Sequence, residues 1–183
     1  MTIPKRSEKQ IAMAKTKCGR LYRKFSGHEF IQDDESYFTL SHSTINSNDG
    51  FYTNYVWTAP ATVKFKTKKK FEEKVLVWIA LGPKGLSKPL IMRSGLSINA
   101  ERYLKLCMKC RLIPYIRSNY QEGEYVFWPD LAAAHYSKVV LKHLNAENIN
   151  YVDKEVNPAN VPEVRSIEYF GRILMLMAGR LKI

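Results

Sequence analysis

Three acidic residues interrupt or adjoin otherwise apolar stretches of the chain. Asp34 lies inside FIQDDESYFTL with Asp33 and Glu35 beside it, Asp130 directly follows YVFWP, and Glu168 sits among Ile167, Phe170, Leu174 and Met177. A single carboxylate in such a place is most often a cap or a solvated edge. Three drawn into one cleft are a different matter, because carboxylates about 4 Å apart repel by roughly 4 kcal/mol at an effective dielectric near 20. Such a cluster needs a strong counter-charge. Hard divalent cations with oxygen ligands, Mg²⁺ or Mn²⁺, supply it. Two such ions can activate an attacking oxygen and stabilise a leaving one in phosphodiester displacement. Asp34, Asp130 and Glu168 are therefore the candidate catalytic and metal-binding residues.

The charge balance points to the substrate of that chemistry. Among 183 residues, 29 Lys and Arg against 17 Asp and Glu give a net charge of +12, which implies a polyanionic partner. Lys64, Lys66, Lys68, Lys69, Lys70 and Lys74 crowd one stretch and, taken alone, read as a lysine-rich solvated loop; the same run has the composition of a nuclear import signal. His135 can orient the loop around Asp130 or touch DNA. Cys107 and Cys110 have C-x-x-C spacing but no second Cys or His pair nearby, so packing is expected rather than zinc. With Cys18 they make three cysteines, which form no closed disulfide framework and fit a reducing compartment. Trp57 and Trp128 are expected in the core or an interface. The 45% apolar content permits a core. No apolar run approaches the length of a membrane span, and the opening MTIPKRSEKQ lacks a secretory stretch.

The elements that must position these groups follow from periodicity. Residues 1–24 read as a basic arm or linker remnant, with Ser7 able to cap a helix. Residues 30–40 are β-prone, and 50–57 can form a short strand. The apolar run 74–81 suggests a strand buried on both faces, broken by Gly82-Pro83-Lys84-Gly85, with 88–93 returning. Asn99 can cap a helix to about residue 113. A short strand at 125–128, a helix over 133–146, a strand near 149–152 and a helix from Pro162 complete the order. Strand–helix alternation in the second half implies parallel pairing.

Four blocks, DDESYFTL, VLVWIALGPKGLSKPL, FWPDLAAAHYSK and NPANVPEVRSIEYF, together resemble the catalytic domain of Tc/mariner-type transposases, within the DDE superfamily. The resemblance covers residues 12–175. In that family the first aspartate stands just before Glu, which selects Asp34 over Asp33. The second follows a short apolar strand and is followed five residues later by His, often with Ser-Lys after it, matching Asp130, His135 and Ser137-Lys138. The third acid lies in a Pro-Ile-Glu-Asn/Asp-Phe/Leu-Trp helix, matched by Ser166-Ile167-Glu168-Tyr169-Phe170-Gly171. The 37 residues between Asp130 and Glu168 are similar to the spacing in the branch whose third acid is Glu.

The resemblance implies an α/β, RNase H-like (retroviral-integrase-like) fold: a mixed five-stranded sheet with helices on both faces, over residues 25–183, with a clamp-like insertion at about 41–73. It implies divalent-metal-dependent DNA cleavage and strand transfer in cut-and-paste transposition. Two Mg²⁺ or Mn²⁺ ions would be held by Asp34, Asp130 and Glu168. Water and then a DNA 3′-hydroxyl would be the nucleophiles. Double-stranded DNA (transposon ends and target) would be the partner, contacted by Lys64, Lys66, Lys68, Lys69, Lys70, His135 and Lys138, with a homodimer, no membrane and a nuclear location expected.

Two positions depart from the pattern: Tyr169 replaces Asn or Asp, and Gly171 replaces Trp. Gly costs up to about 1 kcal/mol in a helix, and a lost packed Trp ~3–5 kcal/mol if nothing refills the space. The chain ends fifteen residues after Glu168, and the bipartite helix-turn-helix of relatives is absent, so a truncated catalytic domain is expected. The alternative is a degenerate or host-captured fragment acting as a non-catalytic DNA-binding or dimerisation module. A third reading is an RNase H-type ribonuclease acting on RNA–DNA hybrids.

Overall fold

The computed structural model describes residues 6–39, 52–61, 74–93 and 97–171. Strand β1 (Glu29–Thr39) is the hub of the sheet. It pairs antiparallel with β2 (Lys74–Gly82) along Gln32–Thr39 and parallel with β5 (Tyr125–Trp128) along Glu29–Gln32. Beyond β2, the short β3 (Gly85–Leu86) and β4 (Leu90–Arg93) both return antiparallel. The result is the expected mixed sheet of five strands, with a different fifth member. The stretch at 149–152 contributes one parallel bridge, Phe127 to Tyr151, and β3 makes up the number.

Helices cover both faces. Alternation along β1 sends Ile31 and Asp33 to one side and Phe30, Gln32 and Asp34 to the other. On the first side, Ile31, Trp78, Ala80 and Phe127 pack with Tyr103, Cys107, Leu112 and Ile116 of helix α2, residues 100–119, and with Val140 and Leu144 of α3 (Lys138–Ala146). The other side carries Phe30, Val126 and Trp128 against Leu21 and Phe25, at and just beyond the end of α1 (Glu8–Lys24). A short helix over residues 166–171 lies on the same side, where the backbone N–H of Ile167 donates to the Gln32 side chain.

Several expectations are corrected. Residues 8–24 form the helix that Ser7 is able to cap, and it packs on the sheet rather than standing apart. Ser7 and Gln10 form a reciprocal capping box, Leu21 and Phe25 are buried, Lys17 donates to the Asn157 carbonyl, and Lys24 pairs with Asp153. Helix α2 does not stop at residue 113. Its middle, Tyr103–Leu112, is π-helical, and the Ile113 N–H reaches the Met108 carbonyl five residues back. That wider register carries the chain past Pro114, whose ring lacks an N–H and would clash within a regular α-helix. Residues 133–137 form turns, and α3 begins only at Lys138. Strand β2 alternates, with Leu76, Trp78 and Ala80 fully buried and the residues between them partly exposed. In 52–57 there is no strand, only the start of a 3₁₀ turn (Val56–Thr58), and Trp57 is 81% exposed, so of its two expected places, core or interface, the core is excluded. Trp128 and Cys107 are buried as expected, while Cys110 is exposed. No helix among the described residues is long and apolar enough to cross a membrane.

If α1 belongs to the domain, truncating its anchor must cost what a core truncation costs. Leu21→Ala is expected to lower the unfolding free energy by about 2–4 kcal/mol in urea titrations. A freely jointed arm would give no change.

Candidate active site

Asp34 and Asp130 lie on neighbouring parallel strands. Gln32 faces Trp128 at the last ladder pair, and each acid follows two residues later, beyond the ladder. Asp130 thus sits just past the carboxyl end of β5, where ligands of open α/β sheets gather. The third acid comes from the helix over residues 166–171, whose Gly171 lies against Asp34: a Cβ built there would stand 3.8 Å from Asp34 Oδ2. Glu168, one turn earlier on that helix, feels both other acids.

Of the three acids, Glu168 is the one on which both others act. Burial, and then the Asp34 charge, push the Glu168 carboxyl above its ordinary value, with Arg165 opposing and Asp130 adding to the rise. Asp34 is also raised. Burial is the main cause and Asp33 adds to it, while the Ser36 hydroxyl (3.1 Å to Oδ2), the Glu35 backbone and Arg165 pull it back. Asp130 is exposed, and one of its oxygens accepts the Leu131 N–H at 2.6 Å.

The neighbour of Asp34 does something else. Asp33 is fully buried on the opposite face, where its carboxylate accepts from Tyr103 Oη (2.5 Å) and Trp78 Nε1 (3.0 Å). It also accepts the backbone N–H of Asp130 at 3.3 Å. Against it lies His135, 2% exposed, with Nε2 3.9 Å from Asp33 and 3.6 Å from Glu35. Those distances make an ion pair rather than hydrogen bonds. The other ring nitrogen, Nδ1, is 3.0 Å from the Asp130 carbonyl; since a carbonyl only accepts, Nδ1 carries a proton. Asp33 and His135 therefore hold Asp130 by its N–H and its C=O. The expected contact of His135 with DNA is corrected: the ring is buried, and of the two roles weighed for it the geometry is that of orienting the Asp130 loop. Burial alone would lower its pKa, but Asp33 and Glu35 raise it to about 9.

Lys138 is exposed at the start of α3. Lys64, Lys66, Lys68, Lys69 and Lys70 lie outside the described residues. Tyr169 is 48% exposed, so replacing Asn or Asp by Tyr there removes no buried packing. Asp33 was missed as a functional support because only its place in the alternation separates it from Asp34. Asn157, whose side chain bonds Trp128 Nε1 and the Pro129 carbonyl, carries no signal beyond a turn-prone NPAN.

No protein-family model matches the chain, and no curated protein matches it. Among solved structures it is similar to the Mos1 mariner paired-end complex with Mn (TM-score 0.71, 20% identity, 98% of this chain and 52% of that one). It is likewise similar to the catalytic domain of Mos1 mariner transposase (TM-score 0.64, 16% identity, 100% of this chain and 77% of that one). The chain has the mariner transposase catalytic fold. This is the RNase H-like architecture expected above. The chain spans about half the length of the transposase in the Mos1 complexes.

The donor set suits the ions inferred above. Three carboxylates offer only hard, anionic oxygens, which favour Mg²⁺ or Mn²⁺ over thiophilic metals. Among the described residues no three His, Cys, Asp or Glu side chains already form a group able to hold an ion. Asp130 is exposed and Glu168 partly so, leaving both side chains rotamers with which to close.

Two outcomes follow. Ionised Asp34 is disfavoured by its surroundings, so Asp34→Asn is expected to raise the metal-free melting point, by an amount corresponding to about 0.5–2 kcal/mol. A fall on calorimetry would show that Asp34 is a structural acid. His135 keeps its proton in the fold to about pH 9, against 6.5 when unfolded. Its stabilising contribution is complete below pH 6.5 and disappears as pH rises towards 9. Denaturation midpoints of the wild type should decline across that window, and those of His135→Gln should not.

Proposed function

We propose that this chain is the catalytic domain of a Tc/mariner-type DDE transposase, cleaving and joining DNA with divalent metal. One observation supports the reading: Asp34 and Asp130 follow the last paired residues of two neighbouring parallel strands, and the Glu168 carboxyl, on the helix over 166–171, is raised by the charges of both. The solved neighbours, complexes of Mos1 with its transposon ends and with Mn or Mg, support it.

Asp34, Asp130 and Glu168 would hold the metal, in our reading two ions, through carboxylate oxygens. Bound there, such ions lower the pKa of an attacking water and offset charge on the leaving oxygen of a phosphodiester. The chain's own residues set the geometry. Asp33 and His135 fix the peptide of Asp130, Ser36 orients the Asp34 carboxylate, and exposed Lys138 contributes positive charge near the phosphate path. Water first cuts the strand, and the freed 3′-hydroxyl then attacks target DNA. A homodimer acting on double-stranded DNA in the nucleus, with the 41–73 lysines contacting its backbone, completes the proposal. The non-catalytic alternative rests in part on the changes at Tyr169 and Gly171, and the helix over 166–171 is nevertheless formed.

Mn²⁺ at about a hundred times its Kd is expected to raise the melting point by roughly 5–10 °C and to support nicking of supercoiled plasmid. Asp130→Asn should abolish both. An undiminished nicking rate in that variant would overturn the assignment.

A further inference from the structure

The β1/β5 ladder ends just before the site because Pro129 has no N–H with which to continue it. The carbonyls of Asp33 and Pro129, each one residue before a site acid, are left to find side-chain donors. Asn157 Nδ2 donates to the Pro129 carbonyl at 2.9 Å, and one further side chain bonds both carbonyls. Arg165, 6% exposed, donates from one terminal nitrogen to the Asp33 carbonyl at 2.8 Å and from the other to the Pro129 carbonyl at 3.3 Å. Its Nε has no hydrogen-bond partner and lies 3.9 Å from Glu168 Oε1, and its guanidinium sits 5.5 Å from the Trp128 ring. A guanidinium is a rigid planar fork whose donors keep a fixed separation. It therefore fixes the distance between the two carbonyls it bonds, which an ammonium cannot do.

We infer that Arg165 is the positioning residue of this site, a single fork that ties the segments bearing Asp34 and Asp130 together and anchors the helix bearing Glu168 to both. It touches no substrate. It acts through main-chain carbonyls, and its effect is on how closely the three acids can meet around a cation. The inference rests on the proposed metal-dependent reading of the same site.

Mn²⁺ affinity, read from the free-Mn²⁺ electron paramagnetic resonance signal of the full chain, separates geometry from charge. Arg165→Lys keeps the positive charge and loses the fork; Arg165→Met loses both. Arg6→Met removes a cation bonded to Asn160 and Glu163, away from the acids. Arg165→Lys should weaken Mn²⁺ binding by about tenfold or more, the usual effect of removing a group that orients metal ligands, while Arg6→Met stays within about twofold of wild type. A role confined to stability would lower the melting point of Arg165→Lys and leave its Mn²⁺ affinity unchanged, which overturns the inference. A counter-ion role would give unchanged affinity in Arg165→Lys and tighter binding in Arg165→Met, which also overturns it. If Arg165→Met does not fold, the lysine variant decides alone. A wild type that binds no Mn²⁺ overturns the functional reading and this inference with it; a wild type that binds, with Arg165→Lys binding equally, overturns this inference only.

Discussion

The constraint that organises the proposed site is repulsion among three carboxylates, which would have to lie close enough to share a cation. Each pair costs on the order of kcal/mol when brought together, and burial adds to the cost by penalising the charged forms. The fold meets this with connections made one residue away from the acids rather than on them. Gln32 ties the Glu168 helix to β1, Asp33 and His135 grip the Asp130 peptide, and Arg165 bonds the carbonyls before Asp34 and Asp130. Among the described residues, Ser36 and two local backbone N–H groups reach Asp34 and Asp130, and Arg165 Nε lies 3.9 Å from Glu168.

The contrast between Asp33 and Asp34 shows how a two-residue period divides labour. Adjacent and chemically identical, they point to opposite faces of β1. Asp33 receives Tyr103, Trp78 and the Asp130 N–H, with His135 Nε2 3.9 Å away, and becomes a structural acceptor inside the core. Asp34 receives the Ser36 hydroxyl and the Glu35 backbone, and lies beside Gly171. A one-residue slip of β1 against β5 would exchange these roles, placing an unsatisfied acid in the core. The buried Asp33–His135 pair thereby enforces the register that the site requires.

Much of this was legible from residue pattern. Apolar runs marked β1, β2, β4 and β5, and Asp130 was legible from its place after YVFWP. What escaped had physical causes. Pro114 signals a helix end, and only the π-helical register of the preceding turns lets α2 run on to Asn119. The apolar positions of residues 8–24 are sparse, yet Leu21 and Phe25 suffice because Val126, Trp128 and Val152 offer a matching surface, a tertiary fact. The stretch 133–137 has helical periodicity but is held in turns, where His135 is committed to Asp33 and to the Asp130 carbonyl. The choice of Asp34 over Asp33 needed the resemblance, since composition and periodicity treat the two alike.

The altered third-acid helix is best understood through the space it leaves. A Cβ at residue 171 would meet Ser36 Oγ at 3.5 Å and Asp34 Oδ2 at 3.8 Å, ordinary contact distances. A small hollow bounded by Asp34, Ser36, Phe38, Val77, Ile79 and Ile167 borders that point. A bulky residue at 171 would project from beside the carboxylate, whereas Gly171 leaves the Asp34 oxygens less crowded. The helix loses up to about 1 kcal/mol of intrinsic preference, and the Gln32–Ile167 and Arg165–Asp33 hydrogen bonds hold it in place regardless. Because these ties precede Glu168 in the helix, the position of the third acid depends on how the helix begins, and the departure at Gly171 falls downstream of the contacts that matter.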